Sequence, residues 1–281
     1  MAAILRVPAN YYQQYDADIG TEHPGLGYRG WATRELELDL DKTALVSMHV
    51  WNPGLDDRVP FGPDSPFVGA YRAVEYCGRA MEVTQTVFPP LLAAARKAGL
   101  TVIHVGSDER YAGKYAEYRR IKELAGPEPA PPAGAVEDPV RLEWQQERTN
   151  VSRGMHNMAS WGDLFHYIDF APQAKPEPGE PVVITSRQLN AACRERGIWH
   201  LIYVGFAINV CLQSSPGGMV DMARLGYSCS TIRQATLATE NKETCRDERA
   251  KDVTIWHVAL HYGYVFDLDP FLAALNGLRR A

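Results

Sequence analysis

Long uninterrupted apolar runs are missing from this 281-residue chain, so no segment has the length to cross a bilayer as a helix. Clusters of Lys and Arg are missing too, and a formal net charge of −5 gives no electrostatic footprint for nucleic acid. Cysteine is sparse and odd in number. Cys77, Cys193, Cys211, Cys229 and Cys245 lie far apart, which suits free thiols in a reducing compartment better than a disulfide framework. The opening stretch, MAAILRVPANYYQQYD, lacks an apolar signal core, so a cytoplasmic and not a secreted protein is expected. His156 and His166 stand in a segment without ligands at helical or turn spacing, so neither a metal nor a cofactor is expected. With nucleic acid and membrane set aside, the expected partner is a small molecule. Hydrophobic content of 46% and charged content of 22% are ordinary for a globular chain with one large core.

Short apolar runs are what the sequence does supply. Residues 43–50, 100–105, 182–184 and 201–204 are rich in β-branched and aliphatic side chains, and each ends in a loop or a polar turn. Strands buried on both faces of a parallel sheet have this character. Helical patterns separate them, over residues 71–98 (with a break at Phe88-Pro89-Pro90), 110–124, 219–225 and 240–261. The Pro-rich stretch 126–134 reads as a loop. The expected fold is therefore α/β: three layers, α-β-α, around a mostly parallel sheet over residues 41–281. Residues 1–40, with Tyr11, Tyr12, Tyr15, Tyr28 and Trp31 spaced by Gly and Pro, read as an irregular arm with one short edge strand. That arm lies across the domain or a neighbour, or contributes aromatics to a pocket as a lid.

In open α/β sheets, ligands bind beyond the carboxyl ends of parallel strands. Cys211 follows the run 201–204 by a few residues and precedes a helix, so a thiol there meets backbone N–H groups. A small buried hydrophobe is the alternative reading of the same residue. His49 and His104 lie near the ends of two other strands. Each is either a hydrogen-bonded core histidine or a wall of the pocket.

Val-Gly-Phe-Ala-Ile-Asn-Val-Cys (204–211) resembles the G-V-A-T-D/N-x-C signature of the isochorismatase-like cysteine hydrolases. The resemblance extends back through Leu189 and Arg194-Glu195-Arg196-Gly197-Ile198, and forward to Gly226-Tyr227. It implies hydrolysis of a C–N bond in a small amide-like molecule through a cysteine thioester, in an oligomer, with no cofactor. Cys211 is the implied nucleophile. The family's general-base aspartate aligns with His49 and its asparagine with Asn52. The backbone at Ile208 and Cys211 is the implied oxyanion site, and a strained or cis peptide is implied near Ala207-Ile208. The family's catalytic lysine has no counterpart after residues 182–184, and Lys175 and Arg187 are the nearby cations. Trp51, Asn52, His104, Phe206 and Asn209 complete the expected pocket. Two alternatives stay open: a family member that binds a small molecule or a partner without turnover, and a base displaced to Asp56 or Asp57.

Overall fold

Residues 3–15, 17, 20–130, 133–153 and 158–278 are described by a computed structural model. Eight strands form one sheet: β1 (Ile4–Gln13), β2 (Gly30–Asp39), β3 (Thr43–Met48), β4 (Thr101–Val105), β5 (Val182–Val183), β6 (His200–Phe206), β7 (Ser228–Leu237) and β8 (Val265–Phe266). Their order across the sheet is β2-β1-β8-β7-β6-β3-β4-β5. From β8 to β5 every neighbour is parallel, while β1 runs antiparallel to both β2 and β8.

The alternation of side chains along each strand makes the layers. Leu45, Ile202 and Val204 face one side and pack with Leu91 and Leu92 of the helix Phe88–Ala98 and Phe271 of the helix Leu268–Gly277. Val46, Met48, Leu201 and Tyr203 face the other, against Leu189, Met219, Ile255 and Val258 from three further helices. All six residues of β3 and all seven of β6 are buried. Both faces are thus covered, which is why these strands are mostly apolar, with only Thr43, Ser47 and His200 as polar residues. Among the described residues no helix is long and apolar enough to cross a membrane.

Three expectations from the sequence differ from the structure. Residues 1–40 are not an irregular arm, because β1 and β2 pair over ten residues each and extend the sheet beyond β8. Leu5, Val7 and Ala9 alternate inward and are buried, an alternation carried through Pro8. The stretch 71–98 is three helices, Val68–Ala73, Cys77–Thr86 and Phe88–Ala98, and the two prolines expected to break it open the last one, where their missing N–H groups cost nothing. The helix expected over 240–261 begins at Arg249. Glu240 is instead buried, and its carboxylate accepts the N–H groups of Ala250 and Lys251 in that helix's first turn.

Buried imidazoles make this fold sensitive to acid. His104 is buried and kept neutral chiefly by desolvation, against the pull of Glu180, whose carboxylate lies 2.8 Å from its Nε2. His200, against Ser230 Oγ at 2.8 Å, is lowered by burial to about 4. A histidine whose folded pKa is depressed contributes its full stability above its unfolded value near 6.5, and loses it as pH falls toward 4. At pH 5 His200 alone costs about 2 kcal/mol. Urea midpoints should therefore fall steeply between pH 7 and pH 5, and His200→Gln should show a smaller fall than the parent. Equal pH dependence of the two proteins would contradict this assignment.

Candidate active site

The order of the sheet decides where a ligand fits. The chain passes from β3 to β4 on one side, then returns to place β6 on the other side of β3. The carboxyl ends of β3 and β6 therefore flank a topological switch point, where open α/β sheets leave a crevice. Met48 pairs with Gly205 at the end of this ladder, so His49 and Phe206 emerge side by side.

His49 has a left-handed backbone, with φ of 53°. Its N–H donates to the Val105 carbonyl at 3.0 Å, which anchors the turn to β4. The ring is 5% exposed and stacks on Trp51, with centroids 5.1 Å apart and planes 17° apart. Burial lowers its pKa to about 4, partly offset by a hydrogen bond to the Gly106 backbone. A backbone bond that raises a histidine's pKa is one in which the ring donates to a carbonyl. Nδ1 is enclosed and has no hydrogen-bond partner among the described residues.

A cavity opens beside this ring. His49, Trp51 and Phe206 line it, together with Tyr76, Cys77 and Met81 from the start of the second helical segment, Phe165 of the helix Met158–Tyr167 and Ile168 just after it. Its volume is about 70 Å³ as space open to the centre of a water-sized sphere. Cys77 was not singled out by the sequence. Burial, with Glu75 adding to it, pushes its thiol up to about 12, so it stays protonated. Nothing in its spacing signals this position, which depends on how one helix packs over the sheet.

Cys211 stands at the start of a single helical turn, Cys211–Ser214, that ends before a second helix begins at Met219. It is half-buried and packs against the core that contains Ile208 and Leu212. It is not among the residues lining the cavity. Tyr76 lines the cavity, and its hydroxyl is pushed up by burial and then by the neighbouring thiols of Cys77 and Cys211. The peptide between Phe206 and Ala207 is cis, one bond before Ala207-Ile208. The Ala207 carbonyl accepts from both Val210 and Leu212, and the Cys211 N–H between them has no acceptor among the described residues.

Several expected site residues are placed elsewhere. The Ile208 N–H donates to the Leu237 carbonyl at 2.8 Å, so it is not free for an oxyanion. Asn52 is fully buried; its Oδ1 accepts the Asp169 N–H and its Nδ2 donates to the Tyr167 carbonyl, which ties the turn after β3 to the 167–169 segment. Asn209 exchanges hydrogen bonds with the Thr239 backbone. His104 belongs to the buried pair with Glu180. Lys175 is exposed after a short turn, where its carbonyl accepts from Arg96. Arg187 is exposed and donates to the Ala125 carbonyl. Where the loop after β5 is shortened, Ile184 and Thr185 lead straight into the helix Ser186–Arg196, which Thr185 caps. At Asp56, one of the two displaced-base positions, Arg58 holds the carboxylate by its backbone N–H and guanidinium and keeps it far below the carboxylate range, and neither Asp56 nor Asp57 is among the described residues that line the cavity. None of the described aromatics of residues 1–40 lines the cavity. His156 lies outside the described residues, and His166 ends the helix Met158–Tyr167 beside Arg110.

No family model matches the chain. It is 27% identical over 196 residues to the ureidoacrylate amidohydrolase RutB of Pantoea ananatis (strain LMG 20103), covering 66% of each protein. To the RutB of Variovorax paradoxus (strain S110) it is 28% identical over 107 residues, 36% of this chain and 39% of that one. The chain thus spans less than two thirds of the length of these relatives. Among solved structures, a cysteine hydrolase from Pseudomonas syringae pv. phaseolicola 1448A superimposes with a TM-score of 0.48 at 14% identity, over 86% of this chain and 96% of that one. An isochorismatase family protein from Burkholderia thailandensis gives 0.43 at 19% identity, over 84% and 96%.

Proposed function

We propose that the chain is an isochorismatase-like cysteine hydrolase acting on a C–N bond of a small amide-like molecule, a reading that its similarity to an amidohydrolase supports. One observation carries the reading. At the switch point of the sheet, the buried His49 imidazole lines a cavity with Phe206, and the half-buried Cys211, whose N–H has no acceptor among the described residues, follows Phe206 in the chain by one short turn. Both sequence relatives are amidohydrolases, which supports the same reaction class.

In this reading the Cys211 Sγ attacks the carbonyl carbon, and its proton passes to the lone pair of His49. The oxyanion faces the Cys211 N–H, because the Ile208 N–H is committed to Leu237. The imidazolium returns the proton to the departing amine, and water then cleaves the thioester. With its pKa near 4, His49 is neutral in the resting protein, so it takes the thiol proton during attack and not beforehand. Self-association, implied by the resemblance, and a cytoplasmic location, inferred from the free thiols, belong to the same proposal.

Acid-quenched intact-mass measurement during turnover of a panel of primary amides tests the reaction. The expected result is an added acyl mass on Cys211 together with released ammonia. If neither appears for any amide, the proposal fails. The pH profile carries a second signature. A base with its pKa near 4 puts the acid limb of kcat/KM near pH 4, while an exposed histidine would put it near 6.5. The profile is read only where circular dichroism shows the protein folded, and an acid limb near 6.5 removes His49 from the role.

A second reading, binding without turnover, is favoured by one observation. Among the described residues no lysine or arginine lines the cavity, so an oxyanion and a leaving group meet no cation from them.

A further inference from the structure

The helix Arg249–His261 ends in His257-Val-Ala-Leu-His261, with two histidines about one helical turn apart. Residues at i and i+4 share one face of a helix, the spacing that lets two imidazoles hold one metal ion. The two rings are adjacent, with centroids 4.5 Å apart and planes 64° apart. His257 is half-buried and His261 is exposed, so solvent reaches the pair. No hydrogen bond from the described residues occupies either ring, in contrast to His104 and His200. Turning these rings about their outer side-chain bond to face one ion therefore breaks nothing and costs little. With metal–nitrogen bonds of about 2.0–2.1 Å, imidazoles meeting at a right angle have ring centres about 4.5 Å apart, and at a tetrahedral angle about 5.2 Å. The observed spacing matches the right angle, as in tetragonal copper and nickel sites. His261 is also the last residue of its helix, where the partial negative charge of the backbone favours a cation.

We propose that His257 and His261 form a surface site for a divalent transition-metal ion, copper, nickel or zinc, held by two imidazole nitrogens with water in the other positions. Among the described residues no group of three or more His, Cys, Asp or Glu side chains could hold a metal, so the pair acts as a two-armed chelate. Nitrogen donors without a carboxylate discriminate against magnesium and calcium, which take oxygen ligands. Copper(II) binds such donors more tightly than nickel(II) or zinc(II) does. The expectation of no metal rested on His156 and His166, which lack this spacing. Neither His257 nor His261 lines the cavity beside His49, so the site stands or falls apart from the hydrolase reading.

The test is calorimetric titration of the full chain with NiCl2, after its accessible thiols are blocked with iodoacetamide so that cysteine does not compete. The parent should bind one nickel ion per chain at this pair. His257→Asn and His261→Asn should each weaken that binding at least tenfold, because one arm of a chelate raises the effective concentration of the other. His166→Asn, at an exposed histidine on another helix, should leave the affinity unchanged. Added nickel should raise the melting temperature of the parent, and both pair variants should lose that rise. Without metal the His261→Asn protein should melt with the parent, since its ring is exposed and free of hydrogen bonds to the described residues. CuCl2 should bind at least tenfold more tightly than NiCl2, and MgCl2 should give no heat of binding. Equal nickel affinity in the parent and His261→Asn overturns the assignment. So does an equal loss in His166→Asn, or binding of magnesium that the pair variants abolish.

Discussion

Gly205→Ala leaves little or no folded protein. Gly205 sits in β6 at φ of 120°, a conformation open to glycine and closed to side-chain-bearing residues. A Cβ built there stands 2.0 Å from the Met48 carbonyl oxygen and 2.9 Å from its carbon, both in the backbone of the paired strand. Neither strand can yield, since β3 and β6 are buried along their whole length with helices against both faces. Backbone strain alone costs about 1–3 kcal/mol. The clash adds more, and the sum approaches the total stability of about 5–15 kcal/mol typical of a domain. Gly226→Ala is the matched comparison. Gly226 also has a positive φ, of 94°, but a Cβ there meets nothing within 4 Å. It should fold and show only the strain, as a lower urea midpoint. Soluble Gly205→Ala protein with a midpoint like that of Gly226→Ala would show that the contact between β3 and β6 is looser than described.

Cys211→Ala should remove amide hydrolysis by a factor of about 10³ or more while leaving the fold intact. Loss of a nucleophile is among the largest single-residue effects in covalent catalysis, because no other group can form the intermediate. The structural cost is small, since the side chain is half-buried and makes no hydrogen bond to the described residues. Cys77 cannot substitute for it, being held protonated by burial. Cys245→Ser serves as the control, as that thiol lies on the segment before the helix Arg249–His261, where it touches the Lys242 carbonyl. Ammonia release should be lost in the first variant and kept in the second, with unchanged circular dichroism in both. Full activity in Cys211→Ala would move the chemistry to another residue.

The central part of the fold was legible because burial on two faces leaves a direct trace: β3, β4 and β6 are mostly apolar runs bounded by loop or turn residues. The N-terminal hairpin left a weaker trace. Its inner strand contains Pro8 and Asn10, and its outer strand has charged residues on the exposed face, so the pairing shows only once both strands are side by side. At the cavity, His49, Trp51 and Phe206 were legible from strand ends and from the resemblance, while Cys211 stands outside its lining. The loss of Ile208 as a donor was not, because its acceptor lies 29 positions away on β7, at Leu237. The cavity wall at Tyr76, Cys77 and Met81 was equally hidden, since those residues reach the site only through helix packing. The desolvation of His49 follows from the same enclosure and cannot be read from its neighbours in the chain.

The sheet ends differently on its two sides. On one side β5 is two residues long and offers almost no row of unpaired backbone groups. On the other side β2 offers ten, but Arg34, Glu35 and Glu37 stand exposed along it, Glu37 already paired with Arg6 of β1. A second chain approaching that border would have to strip water from those charges before any backbone bond could form. Brevity at one border and charge at the other guard this molecule against growing into a fibre, so concentrated solutions should stay clear until the sheet itself opens.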